Sequence, residues 1–146
     1  MNKKEEKYYI GIDLGGTNIA AGVVNENCEI ITKGSVPTGR LRPYAEIVED
    51  MCSLCKRLVQ DAGISEAIIA AIGVASPGAI ALDGKTIGYV NSIPSMSGAP
   101  ICKTLQDAFG GVEVFLENDA NAAAFGEMIA GAAKGQKDVI VITLGT

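Results

Sequence analysis

The sequence predicts an α/β fold built on a mixed sheet flanked by helices. Three observations carry this reading. Residues 8–14 alternate in side-chain type and 19–24 are apolar and β-compatible, so 8–24 reads as a β-hairpin closed by Gly15-Gly16-Thr17-Asn18. After Pro43, apolar residues recur at helical spacing. From residue 68 onward, short apolar runs alternate with helical stretches, as βαβ crossovers do.

In the first strand Ile10, Ile12 and Leu14 point one way, and Tyr9, Gly11 and Asp13 the other. Residues 19–24 are its antiparallel partner, and residues 29–36 a third strand that stops at Pro37 and Gly39. Tyr44, Ile47, Val48, Met51, Leu54, Cys55 and Leu58 line one face of a helix, with Pro43 at its start and Gly63 just past its end. Residues 68–75 form an apolar strand broken by Ser76-Pro77-Gly78. Residues 79–99 are rich in turns, with a short hairpin around Asp83-Gly84. Residues 101–109 are a short helix stopped by Gly110-Gly111, 112–116 a strand, 119–133 an Ala-rich helix and 139–144 a last strand. The expected order is β-β-β-α-β-α-β-α-β, with helices on both faces of the sheet.

The 146 residues suit one domain, or one lobe plus part of another, and 48% apolar content is enough for a packed core. A net charge of −5 with scattered Lys and Arg argues against nucleic acid as a partner. No apolar run approaches the ~18 residues of a membrane span, and the first residues lack the apolar stretch of a signal peptide. A cytoplasmic protein is expected. Cys28, Cys52, Cys55 and Cys102 make no disulfide scaffold in a chain of this size. Cys52 and Cys55 have C-x-x-C spacing but lie in a helical pattern without a second Cys or His pair, so they read as plain thiols. The absence of His removes Ser-His and Cys-His nucleophile schemes.

Five segments can carry chemistry. In Asp13-Leu-Gly-Gly-Thr-Asn18, Gly15 and Gly16 can offer backbone N–H groups to an anion, Thr17 adds a hydroxyl, and Asp13 can hold Mg²⁺ through water. Taken alone, the same segment reads as an ordinary hairpin turn, and it is neither a dinucleotide-binding fingerprint nor a P-loop. Asn118 and Asp119 form a polar pair at a strand-to-helix junction, where α/β ligand sites gather. Such a pair can hold a hydroxyl while Asp119 takes its proton; Asp119 as a plain helix N-cap is the competing reading. Phosphoryl transfer suits such a pair because its loose transition state asks mainly for positioning. Glu117 and Glu127 are acids nearby, the latter read as a helix-surface or interlobe residue. Gly78 after Ser76-Pro77, and Asn91 in Asn91-Ser-Ile-Pro94, mark loops that serve equally as ligand contacts or as scaffold. Finally, Thr143-Leu-Gly-Thr146 reads as a strand running into a second Gly-Thr turn, a partner for the first.

Together, in this order, these segments resemble the ROK family (repressors, open reading frames and sugar kinases), and most closely its bacterial glucokinases. Gly11–Val24 looks like the family's first phosphate motif, and Ser76–Gly78 and Asn91–Pro94 like its sugar-side loops. Glu117–Glu127 looks like its catalytic segment, and Thr143–Thr146 like the start of its second phosphate motif. The resemblance implies an RNase H-like, actin-like ATPase fold of two lobes around a cleft where a hexose, glucose first, meets MgATP. Residues 1–118 would be the N-terminal lobe and 119–146 the start of the second. Asp119 would be the base; Asn118, Gly78 and Asn91 would hold sugar hydroxyls. Asp13, Gly15, Gly16, Thr17, Asn18, Gly145 and Thr146 would face the nucleotide, with Asp13 toward Mg²⁺. A structural zinc, further sugar ligands and the adenine pocket are expected only in sequence beyond residue 146.

Two features depart from the family pattern: Asn at position 18, often Lys in the family, and no aromatic residue in Ser95–Ala99. The alternatives are a kinase for another hexose or an N-acetylhexosamine, a sugar-sensing ROK protein without catalysis, and an actin-like ATPase. Residues 1–146 alone are expected to be inactive, and to self-associate through the apolar strand 139–144.

Overall fold

The computed structural model describes residues 6–143. The hairpin read from side-chain alternation is present: β1 (Tyr8–Leu14) and β2 (Asn18–Asn25) pair antiparallel, and β3 (Ile30–Pro37) adds to β2. α1 (Tyr44–Asp61) starts directly after Pro43. It ends where Gly63 takes a left-handed φ of 67°, so that Gly63 N–H reaches Gln60 C=O and Ile64 N–H reaches Val59 C=O. β4 (Ile69–Ser76) returns to the sheet, the short hairpin β5 (Ala79–Ile80) and β6 (Ile87–Tyr89) stands apart from it, and α2 (Ile101–Ala108) leads into β7 (Glu113–Asn118). α3 (Asp119–Ala130) leaves the end of β7 and packs against β7 and β4.

The sheet order is β3-β2-β1-β4-β7, with β4 parallel to both β1 and β7. Strand alternation puts Ile10, Ile12, Leu14, Ile19, Val23, Ile72, Val74, Val114 and Leu116 on one face, all buried. α1 covers the β2–β3 side of that face with Ile47, Met51, Leu54, Cys55 and Leu58, while α2 packs on β7 and α1 with Ile101, Cys102 and Leu105. The contact between α1 and β3 is close: Leu54 and Leu58 methyls lie 3.4 Å from where a Cβ would stand on Gly34. Thr32 Oγ1 also donates to the Leu58 carbonyl, at 3.0 Å.

The opposite face is left uncovered by α1 and α2. Gly22, Gly11 and Gly73 stand abreast across β2, β1 and β4, in the row that runs from Lys33 to Phe115. A shallow depression of about 690 Å³ runs over Gly11, Gly22, Val24 and Ile30 to Asp13. The expectation of helices on both faces is therefore met on only one by α1 and α2. The second face combines the Gly11, Gly22 and Gly73 row with exposed Tyr9, Ile30 and Phe115, and α1 and α2 leave it uncovered.

Two further expectations need correction. Residues 139–143 form no strand, and Ile140 and Ile142 are 92% and 78% exposed. Apolar β-formers make a strand only where an edge accepts their N–H and C=O groups, and this segment meets none among the described residues. The helix expected over 119–133 stops at Ala130, because Glu127 turns back to accept the Ala132 N–H at 2.7 Å. Leu144, Gly145 and Thr146, the second Gly-Thr turn, lie outside the described residues. The four cysteines are free thiols. Burial pushes Cys55 up to about 12, with Cys52 adding to it. No helix among the described residues is long and apolar enough to cross a membrane.

This packing makes α1 the main stabiliser of the hairpin. Leu54→Ala is expected to cost about 2–5 kcal/mol in urea unfolding of this chain, while Leu41→Ala, at a site 81% exposed, should stay within about 0.5 kcal/mol. Equal midpoints for the two variants would contradict the assignment.

Candidate active site

Parallel pairing fixes where the candidate residues meet. Asp13 is level with Ala75 on β4, Ala75 with Glu117 on β7, and Ser76 with Asn118. The turn after β1, the loop after β4 and the start of α3 therefore leave the sheet at one edge, the carboxyl ends of three parallel strands.

The first turn is held tightly. Gly15 N–H donates to Asn18 C=O at 3.0 Å, so Gly15 shapes the turn and its N–H is spent. The N–H groups of Gly16 and Thr17 meet no carbonyl among the described residues, and with the Thr17 hydroxyl they are the donors this turn can aim at an anion. Two contacts that sequence reasoning did not foresee pin it from outside. Ser92 lies against Gly16, its Cβ 3.4 Å from where a Gly16 Cβ would stand, and its buried hydroxyl has no partner among the described residues. Thr38, fully buried, donates its hydroxyl to Gly15 C=O at 2.6 Å and its N–H to Thr17 C=O at 2.8 Å.

Around Gly78 and Asn91 the geometry is equally specific. Gly78 has φ 84°, and any Cβ there would run into the Tyr89 carbonyl. The loop after β4 thus rests on β6 and on the segment leading to Asn91, which is exposed. Asn118 then ties this loop to α3: its Nδ2 donates to Gly78 C=O at 3.1 Å. Its Oδ1 accepts from Ala120 N–H and Asn121 N–H at 3.0 and 3.3 Å. The helix cap is therefore Asn118, and Asp119 is the first helical residue. Both residues suit the cap chemically, and the backbone turn decides between them. Nδ2 makes one bond among the described residues, so the second N–H of the Asn118 amide has no acceptor there.

Asp119 has one oxygen on the Ala120 N–H at 2.8 Å and is exposed. Glu117 is less available: Asn121 Nδ2 and Asn118 N–H both bond its Oε1, at 3.0 and 2.7 Å, and hold its carboxyl below the usual range. Glu127 is an exposed helix-surface residue that bonds its own C-terminal turn. Asp13 shifts the other way. Partial burial pushes its pKa up and the charge of Asp119 adds to it. Its side chain is open to solvent on the uncovered sheet face, so the effect is screened. A hydrated divalent cation beside Asp13 would relieve both causes, so this carboxylate fits an Mg²⁺ held through water. Among the described residues no group of three or more His, Cys, Asp or Glu could hold a metal directly.

A carboxyl whose folded pKa lies above its unfolded value gives full stability below the unfolded value and loses it as pH rises through the folded one. Asp13 therefore costs stability at neutral pH. Asp13→Asn is expected to raise the urea midpoint of this chain at pH 7, with the gain vanishing below about pH 3. A gain of the same size at both pH values would mean that charge is not its cause.

The family model described as ROK family matches residues 9–146. A glucokinase of Streptomyces coelicolor is 40% identical over 137 residues, covering 94% of this chain and 40% of the relative. A solved ROK hexokinase from Thermus thermophilus superimposes with TM-score 0.77 at 37% identity, over 88% of this chain and 40% of that one. A ROK family glucokinase from Streptomyces griseus, solved with glucose and AMPPNP, gives 0.75 at 31% identity, over 88% and 38%. The chain thus spans about two fifths of the length of the relatives it matches.

Proposed function

The chain belongs to the ROK family, and from that premise we propose that the whole protein is an ATP-dependent hexose kinase, glucose being the first acceptor to test. The observation that carries this reading is the juncture of Asn118, Asp119 and Gly78 beside the Asp13–Asn18 hairpin. Asp119 is a carboxylate at a helix start, exposed, at the edge where anion-facing N–H groups also gather. No other acid of the segment has that combination, since Glu117 is committed to Asn121 and Asn118.

In this proposal Asp119 accepts the proton of a sugar hydroxyl as that oxygen bonds to the γ-phosphorus, while the bond from phosphorus to the β,γ-bridging oxygen breaks and ADP leaves. Asn118, Gly78 and Asn91 orient the sugar. Gly16 and Thr17 offer donors to the phosphates, Gly15 shapes their turn, and Asn18, Gly145 and Thr146 complete the nucleotide side. Mg²⁺ held through water by Asp13 would neutralise phosphate charge. Residues 1–118 act as the first lobe and 119–146 as the start of the second. The absence of any buried side chain in α3, with Phe125 62% exposed, supports that division. A cytoplasmic homo-oligomer, with structural zinc carried elsewhere in the protein, completes the reading.

In the full-length protein Asp119→Asn is expected to lower kcat by at least ~10²-fold with little change in KM for MgATP. Near-normal turnover would remove Asp119 from the mechanism. A panel of glucose, mannose, fructose and N-acetylglucosamine identifies the acceptor, and ATP turnover independent of any sugar would favour an actin-like ATPase instead. Residues 1–146 alone are expected to phosphorylate no sugar, because they span about two fifths of the length of the relatives they match and electrostatic preorganisation across a whole site supplies most of the rate.

A further inference from the structure

Thr38 is fully buried, and its polar groups all serve the first turn or its brace. Its hydroxyl and N–H capture the carbonyls of Gly15 and Thr17, at 2.6 and 2.8 Å. Its own carbonyl accepts from Arg42 Nε and Nη2, at 3.2 and 2.9 Å. Arg42 is anchored in turn by Asp50 of α1, Nη2 to Oδ2 at 2.7 Å. Gly39, at φ 58°, has no side chain to obstruct the guanidinium as it folds back over this corner. A chain of contacts therefore runs from α1 through Arg42 and Thr38 to the Gly15–Thr17 turn.

Resting on the kinase reading above, we propose that Thr38 is a positioning residue for the nucleotide phosphates, with Arg42 and Asp50 as its brace. The physical reason is charge. A turn binds an anion only if its N–H dipoles face the ligand and its carbonyl oxygens do not. Thr38 engages two of the three carbonyls of Gly15–Thr17 on the side where β3 ends, which leaves the Gly16 and Thr17 N–H groups for phosphate. Preorganisation of this kind saves the reorganisation that each binding event would otherwise require.

The test compares Thr38→Val, which keeps the shape and loses the hydroxyl, with Thr38→Ser, which keeps the hydroxyl. In the full-length protein Thr38→Val should raise KM for MgATP about 10-fold while sugar KM stays within about twofold, and Thr38→Ser should restore the wild-type value. Arg42→Met, at a partly exposed site, should raise KM for MgATP about 3-fold, and it serves if the valine variant fails to fold. A merely structural role would lower stability and leave the ratio of the two KM values unchanged. An MgATP KM within twofold of wild type in folded Thr38→Val, or equal losses in the Val and Ser variants, overturns the proposal. A second readout needs no catalysis: the Gly16 and Thr17 amide resonances of this chain should move in Thr38→Val and stay in place in Thr38→Ser. Unmoved resonances in Thr38→Val overturn it even if wild type phosphorylates no sugar, an outcome that by itself counts only against the kinase reading.

Discussion

The parallel register of β1, β4 and β7 is the constraint on which the rest of the structure depends. It sets Asp13, Ser76 and Asn118 at one edge of the sheet, although they are distant in sequence. Every later feature uses that alignment. The Gly78 loop and the start of α3 meet through Asn118, and the Gly15–Thr17 turn leaves the sheet at the same edge because the strands end together. The buried side chains that enforce it are apolar: Ile10, Ile12 and Leu14 beside Ile72, Val74, Val114 and Leu116. A one-residue slip of β4 would turn Ile72 and Val74 to the uncovered face and take the Gly78 loop out of reach of Asn118.

Along that edge, polar groups divide into those bound within the chain and those left for a ligand. Gly15 N–H, Asn118 Oδ1 and Glu117 Oε1 are bound internally. The N–H groups of Gly16 and Thr17, one N–H of Asn118 and the outward side of Asp119 remain. This remainder is what a phosphoryl-transfer site needs on its acceptor and phosphate sides: donors for charge on oxygen and one carboxylate for a proton. The internally bound groups hold the turn, loop and helix start in their relative places.

Much of the fold was legible because local patterns and tertiary demands agree. Alternation in residues 8–14, the helical spacing from Tyr44 to Leu58, and Gly63 and Gly110 as stops each survive in the structure. Residues 139–143 show the limit. Their β-propensity is intrinsic, but strand pairing needs a neighbour that sequence pattern does not name. The site was legible in its chemistry and less so in its bonding. Asn118 and Asp119 are both good caps, so only the backbone geometry shows that Asn118 takes the role and leaves Asp119 outward. Thr38 carried no sequence signal, since its importance arises from β3 ending beside a turn some twenty residues earlier. Ser92 is the same case: it reaches Gly16 only because the segment after β6 folds back across the edge.

The central claim is that this strand edge is the acceptor and phosphate side of a kinase site. A crystal structure of the full-length protein with glucose and a non-hydrolysable ATP analogue tests it most directly. The account predicts a sugar hydroxyl within about 3 Å of an Asp119 carboxylate oxygen, and phosphate oxygens on the N–H groups of Gly16 and Thr17. A sugar bound away from Asp119, or phosphates that leave that turn untouched, would contradict it.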